Sequence, residues 1–291
     1  MFSILIPSYN NLEYLKLCLS SIKVNSNLEH QIIIHVNVGD DGTIEYLNKE
    51  NIEYTHSKYN SGICEGINRA SKLAKFNYIV YAHDDFYFCP GWDRVFMNEI
   101  ASIGHNNFYL SGTMMHNGQI PFECGDTYDD FNEEKFLKDY QKHNFYDFQG
   151  STWAPTLIHK SIWDKVGGFS EEFFPGTGSD PDFNMKLWKQ KIRIFKGLNK
   201  CKVYHFGSIV LRKKINNSSI KNKYGSKGGK IFLLKWGISI KFFKKFYLKS
   251  NKIYDGPLRS PNKNIAFILR YILCKFHYLY LTIFYNKLKH K

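Results

Sequence analysis

The segment YIVYAHDDFYF, residues 78–88, places two adjacent carboxylates directly after a strand-like run. Residues 78–82 are apolar or aromatic, which predicts a buried strand, and the run stops at His83-Asp84-Asp85. A turn is one explanation, because Asp often bonds backbone amides where strands end. A metal site is the other, because neighbouring carboxylates repel each other unless a cation lies between them and a ligand.

The same order of strand and polar cluster occurs twice upstream of this segment. FSILIP (2–7) leads into Pro7-Ser8-Tyr9-Asn10, and QIIIHVNV (31–38) leads into Asp40-Asp41. Helices are predicted between the strands, over 11–23, about 43–48 and 61–75. This alternation predicts an α/β protein with a doubly wound, mainly parallel sheet. Since ligands bind at the carboxyl ends of such strands, the three clusters predict one ligand site.

The middle of the chain, 106–207, is less regular but contains three recognisable elements. A helix beginning near Lys160 ends at Gly167-Gly168. After the loop FFPGTGSD, the segment DPDFNMKLWKQK predicts a helix with Asp180 as its N-cap. The segment VYHFGS (203–208) predicts a strand that ends in His205.

Charge divides the chain into an acidic body and a basic tail. Residues 200–291 contain 22 Lys and Arg against a single acid, Asp255, whereas the other residues contain 18 basic and 25 acidic side chains. A basic tail favours an anionic partner, such as a membrane surface. No nucleic-acid motif accompanies the charge, so nucleic acid is not expected as a partner.

Two tail segments have helical patterns. In ISIKFFKKFYLKS the four lysines are predicted to share one face and the aromatic residues the other. The segment IAFILRYILCKFHYLYLTIFY is long and apolar, but basic residues interrupt it, which favours a helix lying in a membrane interface over a spanning one. A helix packed on the body with a solvated basic face is the alternative.

The six cysteines form no C-x-x-C pair, and the first ten residues lack the basic lead and cleavage site of a secretory signal. These features predict a cytoplasmic protein, peripheral on the membrane through residues 209–291.

Six segments, in this order, resemble the family 2 glycosyltransferases of the GT-A fold: SILIPSYNNLEYLKLCLSSI, DDGT, YNSGICEGINRA, AHDD, VGGFSEEFF and VYHFGS. The resemblance covers roughly residues 2–208 and is most specific in the first half. It implies inverting transfer of a sugar from a nucleotide-diphosphate sugar, with a UDP-sugar as the default, to a hydroxyl of a glycan or lipid-linked glycan.

The resemblance also implies roles for single residues. The nucleotide-sugar site would comprise Pro7, Tyr9, Asp41, Gly62 and Asp84. The metal, Mn²⁺ or Mg²⁺, would be bound by Asp85 and His205. The chain departs from the common Asp-x-Asp pattern at His83, which we interpret as a structural or substrate-contacting residue.

For the general base, the resemblance implies an acid that begins a helix after a Gly-rich loop. Asp180 matches this position, with Ser179 where Glu is usual, and Asp182 is the alternative. A helix cap is the simpler explanation of Asp180. Trp153 and Asp182 are candidates for acceptor binding, with Trp153 as an aromatic platform, although Trp153 could equally belong to the core.

We therefore expect a GT-A catalytic domain over residues 1–208, followed by a basic helical tail over 209–291. The catalytic domain would have a nucleotide-sugar half, 1–105, and an acceptor half, 106–208. The alternative is a catalytically silent relative that binds nucleotide sugar or glycan, motivated by His83 and Ser179. Convergence of Asp85, Asp180 and His205 on one pocket would argue against it.

Overall fold

The computed structural model describes residues 1–150, 153–207 and 227–288, with side chains described through residue 284. The predicted boundary between residues 208 and 209 lies outside these ranges. The strands, in chain order, are β1 Ser3–Tyr9, β2 Gln31–Asn37, β3 Glu53–Ser57, β4 Tyr78–Tyr81, β5 Phe86–Phe88, β6 Phe108–His116, β7 Phe148–Gln149, β8 Thr156–His159 and β9 Ile194–His205. The α-helices are α1 Leu12–Asn25, α2 Thr43–Lys49, α3 Gly62–Ser71, α4 Trp92–Ile103, α5 Glu133–Asp139, α6 Lys160–Val166, α7 Ser179–Lys189, α8 Lys227–Trp236, α9 Ile240–Phe246 and α10 Ile265–Leu288.

The described strands form one mixed sheet in the order β3-β2-β1-β4-β8-β6-β9-β5, with β7 also paired to β9. The first four strands of this order are parallel, which confirms the predicted parallel sheet. Strands β6 and β9 are also parallel to each other. Strand β8 is antiparallel to both β4 and β6, so β6 runs in the same direction as β4. Strands β6 and β9 therefore share the direction of β1–β4.

The core explains why the early strands read as continuous apolar runs rather than alternating ones. Ile4, Leu5 and Ile6 on successive positions of β1 are all fully buried. A parallel strand covered by helices on both faces buries both sets of side chains. One large apolar cluster extends from this sheet to the helices around it.

The N-cap of helix α7 lies two residues before the predicted one. Gly178, at φ 90°, precedes its first residue, Ser179, so Asp180 lies inside the first turn. The prediction that Asp180 is the N-cap is therefore wrong. The chain turns on a glycine in the left-handed region instead, while Ser179 Oγ donates a hydrogen bond to the Gly176 carbonyl at 2.7 Å. Asp180 therefore does not cap this helix.

The tail helices differ in how they contact the body. Phe232 on α8 and Phe243 on α9 are fully buried and belong to the large apolar cluster that includes the sheet. Helix α10 packs through residues spaced seven apart, Phe267, Cys274 and Leu281, and leaves most of its other apolar side chains exposed. The first two tail helices are thus part of the body's core, and α10 presents an apolar surface to solvent.

Candidate active site

The predicted nucleotide-sugar residues all lie at one edge of the sheet. Pro7 and Tyr9 are at the end of β1, while Asp41, Gly62 and Asp84 follow the ends of β2, β3 and β4. These four strands are parallel neighbours, so their carboxyl ends meet at the same edge. Polar residues that are far apart in the sequence therefore come together, because each follows the end of one of these strands.

Asp41 already makes several hydrogen bonds within the protein. Its Oδ2 accepts from the Leu12 amide at 2.8 Å, and its Oδ1 accepts from Thr43 Oγ1 at 2.6 Å. These contacts tie the first turns of α1 and α2 to the edge of the sheet. The role of Asp41 in binding the nucleotide sugar stays a prediction.

Gly62 is required by its conformation and by a close approach. Its φ is 78°, and a Cβ at this position would lie 2.8 Å from Phe174 Cδ2. The next amide, of Ile63, donates to the Pro175 carbonyl at 3.1 Å. The glycine therefore allows the loop before α7 to dock on the start of α3, next to the strand ends.

The carboxylate pair meets a histidine across the sheet. Strand β5 begins directly after Asp85, and Phe86 pairs with His205 at the end of β9. Asp85 Oδ2 lies 3.5 Å from His205 Nε2, and Asp85 Oδ1 lies 3.9 Å from His83 Nδ1. The three side chains present donor atoms that all lie within 4.8 Å of one another, a grouping that could hold a metal ion. The sequence interpretation placed His83 outside such a group, whereas its ring nitrogen lies within it.

A hydrogen bond orients the His205 ring so that its Nε2 faces Asp85. Its Nδ1 lies 2.9 Å from the Asn117 carbonyl oxygen, which can only accept, so Nδ1 carries the proton. The lone pair of the neutral ring is then on Nε2, which faces Asp85. Backbone carbonyls commonly orient metal-binding histidines in this way.

The electrostatics of the doublet fit a cation. Burial, followed by the neighbouring Asp85 carboxylate, raises the pKa of Asp84 to about 7. Burial lowers the pKa of His83 to about 4, which leaves that imidazole neutral at pH 7. A neutral imidazole is the ligating form of histidine, and a cation would relieve the repulsion between the two adjacent carboxyl groups, so the residues present fit a divalent ion.

A cavity of about 1000 Å³ opens beside this cluster. The residues that line it include His83, His205, Trp153, Asp180 and Lys244. The structure therefore brings the predicted metal ligand His205 and the predicted base Asp180 to one cavity, with Asp85 in contact with His205.

Asp180 has the electrostatic character expected of a proton acceptor. Burial raises the pKa of its carboxyl to about 7, and the nearby Lys244 charge opposes that rise. An acid with a pKa near the working pH can both accept and release a proton readily.

Lys244 was not predicted as a site residue. Sequence analysis grouped it with the other lysines of this segment on one helix face and assigned none of them to the site. Ile240 and Lys244 are one helical turn apart on α9 and both line the cavity, whereas Lys241 and Lys245 are exposed. The Lys244 Nζ lies 4.6 Å from the centre of the Trp153 ring. The sequence could not identify Lys244 as a site residue from its charge, because the neighbouring lysines carry the same charge.

Trp153 and Asp182 have contrasting environments. Trp153 is 43% exposed and lines the cavity, as an acceptor platform requires. Asp182 is fully buried away from it, and its carboxylate accepts from Ser170 Oγ at 2.6 Å and Trp236 Nε1 at 2.7 Å. The structure thus brings Asp180, and not Asp182, to the cavity.

A largely parallel sheet with a carboxylate–histidine cluster at its strand ends, beside a large cavity, defines a glycosyltransferase of the GT-A fold. The chain belongs to glycosyl transferase family 2, whose family model matches residues 3–167.

Similar curated proteins include two enzymes of Pasteurella multocida. The chain is 25% identical over 237 residues to the chondroitin synthase of strain Pm70, covering 76% of this chain and 22% of that protein. It is 25% identical over 212 residues to a hyaluronan synthase, covering 69% of this chain and 20% of that protein. The chain therefore spans about a fifth of the length of these relatives.

Solved structures share the fold at low sequence identity. S. aureus TarS 1-349 superposes with a TM-score of 0.54 at 16% identity, covering 76% of this chain and 66% of that one. TarS 1-349 was also solved with UDP and with UDP-GlcNAc. GalNAc-T7, solved with UDP, GalNAc and Mn²⁺, superposes with a TM-score of 0.54 at 13% identity, covering 70% of this chain and 43% of that one.

Proposed function

We propose that this glycosyltransferase is an inverting enzyme that uses a nucleotide-diphosphate sugar, with UDP as the default nucleotide, and a divalent metal. The observation that carries the proposal is that one cavity is lined by both Asp180 and His205, with Asp85 in contact with that histidine. The nucleotides and metal present in the TarS and GalNAc-T7 structures support the donor class.

The donor would lie along the carboxyl ends of β1–β4, where Pro7, Tyr9, Asp41, Gly62 and Asp84 are found. Its diphosphate would then lie near the Asp84-Asp85 doublet.

We assign the metal to Asp85, His205 and His83. A divalent ion bound there would neutralise the departing diphosphate. Two imidazole nitrogens favour Mn²⁺ over Mg²⁺, because Mg²⁺ strongly prefers oxygen ligands.

Asp180 acts as the general base in this proposal. It accepts the proton of the acceptor hydroxyl while that oxygen forms a bond to the anomeric carbon. The bond from this carbon to the diphosphate oxygen breaks at the same time, and its electron pair leaves with the diphosphate. Attack from the face opposite the leaving group inverts the anomeric centre. Trp153 offers an exposed aromatic face for the sugar of a glycan or lipid-linked glycan acceptor.

We further propose a cytoplasmic location at the membrane surface, through the tail. By length and composition alone, Ile265–Phe284 of α10 could cross a membrane. Its apolar side chains are interrupted by Arg270 and Lys275, both exposed. This combination favours a helix lying in the interface of an anionic membrane over one that spans it.

The test is titration calorimetry with UDP, with and without Mn²⁺, on the wild type and on Asp85→Ala. We expect binding that requires Mn²⁺ and that weakens by more than about tenfold in Asp85→Ala. Asp129→Ala, which removes an exposed carboxylate outside the cavity, should bind like the wild type. Metal-independent binding, or equal binding by both variants, would overturn the metal assignment. Absence of UDP binding would direct the same titration to GDP and dTDP.

A further inference from the structure

A second cavity adjoins the catalytic one, and lysines dominate its lining. It has a volume of about 700 Å³ and lies between α8, α9 and the chain that follows α9. No Asp or Glu is among the described residues that line it. Six lysines line this lysine cavity: Lys230, Lys241, Lys244, Lys245, Lys249 and Lys252.

We propose that the lysine cavity binds phosphate groups of the acceptor, so that the acceptor is a phosphate-bearing chain or headgroup. This inference rests on the proposed transferase function and names the substrate class of that same site. Phosphate fits because lysine recognises it as a point charge, and because phosphates offer a high density of negative charge.

The charges of this cavity are poorly balanced within the described residues. Lys249 has a carboxylate partner there, Asp255, at 3.8 Å. The described chain offers no carboxylate within salt-bridge distance of Lys230, Lys241 or Lys245. Like charges gathered around one concavity repel each other, and a bound polyanion would relieve that repulsion.

Neutral polar groups of the same region also lack partners. Ser250 Oγ and His277 Nε2 are buried atoms that make no hydrogen bond to other described residues. Both side chains belong to residues that line the lysine cavity. Buried polar atoms normally have a partner, so these two atoms leave unmet hydrogen-bonding capacity next to the lysines.

The two cavities share a wall, which links anion binding to catalysis. Ile240, Lys244 and Asn251 line both of them. Lys244 lies beside Trp153 and acts electrostatically on Asp180. An acceptor held by its phosphates in the lysine cavity can therefore extend past Lys244 and present a hydroxyl to Asp180.

The experiment is calorimetric titration of the full chain with sodium tripolyphosphate in EDTA, at constant ionic strength. The test variant is Lys241→Gln/Lys245→Gln, which neutralises two exposed lysines of α9. The control is Lys72→Gln/Lys165→Gln, which removes the same charge from exposed positions outside both cavities. We expect the test variant to bind at least roughly tenfold more weakly than the wild type. The control should bind like the wild type.

Two outcomes would overturn the proposal: no binding of tripolyphosphate by the wild type, or equal weakening in both variants, which indicates diffuse surface charge. Flotation with phosphatidylglycerol vesicles, compared with phosphatidylcholine, separates a lipid headgroup from a soluble phosphate chain as the source. Vesicle binding that depends on Lys241 and Lys245, without tripolyphosphate binding, would reassign the cavity to membrane contact. Mn²⁺-dependent UDP binding by the test variant shows separately whether the proposed donor site is intact.

Discussion

At the scale of single residues, the site depends on how burial changes the acidity of a carboxyl group. Asp180 lies in the first turn of α7, where the helix dipole favours a negative charge, yet burial raises its pKa to about 7. Burial is therefore the larger effect. A hydrogen bond from its own amide, and then the Lys244 charge, act in the opposite direction and limit the rise of this pKa.

This balance predicts the pH dependence of catalysis. A general base must be ionised to accept a proton, so kcat/KM should rise as pH increases through about 7 and level off above it. Lys244→Met removes the positive charge that lowers the Asp180 pKa, and the rising limb should move to higher pH. Lys244→Arg keeps the charge and should leave the limb in place. The measurement is the rate of nucleotide release from the donor between pH 5 and 9, roughly the range in which such a group titrates. If the rising part of the pH profile did not move in Lys244→Met, the electrostatic effect of Lys244 on Asp180 would be contradicted.

At the scale of elements, α7 has two opposite functions on its two sides. Asp180 and Asp182 are two positions apart, which separates their side chains by about 200° around the helix. One therefore faces the cavity, and the other faces the interior, where it meets the tail. Trp236 at the end of α8 donates to Asp182, and Lys235 lies 3.0 Å from the same carboxylate.

Asp182 should accordingly matter for stability rather than chemistry. Asp182→Ala leaves Ser170 Oγ and Trp236 Nε1 without their buried acceptor and removes one of the two carboxylates beside the exposed Lys235. We expect a loss of about 1–3 kcal/mol in the free energy of unfolding for each orphaned donor. Glu172→Ala removes the exposed partner of the same lysine, at 2.7 Å, and should cost at most about 1 kcal/mol. Urea denaturation measures both. If Asp182→Ala abolished transfer while its unfolding curve matched the wild type, the role of base would pass to Asp182.

The sequence predicted the parts of the site that depend on strand ends. Tyr9, Asp41 and Asp84 could be placed together because the carboxyl ends of neighbouring parallel strands meet at one edge. The pairing of Asp85 with His205 came from the family resemblance alone, because it depends on β5 running antiparallel to β9. The sequence analysis favoured Asp180 over Asp182 from the family pattern, whereas the contacts that distinguish the two residues depend on where α8 docks. Lys244 could not be found either, because only the orientation of α9 distinguishes it from Lys241 and Lys245.

At the scale of the whole molecule, the tail joins the catalytic body to a large exposed apolar surface. Helices α8 and α9 are anchored in the core, and α9 lines the cavity. Helix α10 is 24 residues long, about 36 Å, and its exposed side is rich in Leu, Ile and Phe. Contiguous exposed apolar surface of this size marks an interaction site.

This surface predicts membrane binding that combines apolar and electrostatic contributions. Leu273 and Phe276 are each 66% exposed on α10, so Leu273→Ser/Phe276→Ser should leave the fold intact and reduce flotation with phosphatidylglycerol vesicles severalfold. Val24→Ser/Leu28→Ser changes exposed apolar residues of the body and should float like the wild type. Raising the salt concentration should weaken wild-type flotation, because Arg270 and Lys275 on α10 contribute through screened charges. Equal flotation of both variants, or a variant that becomes monomeric where the wild type is a dimer, would assign the α10 surface to a protein contact instead of a lipid one.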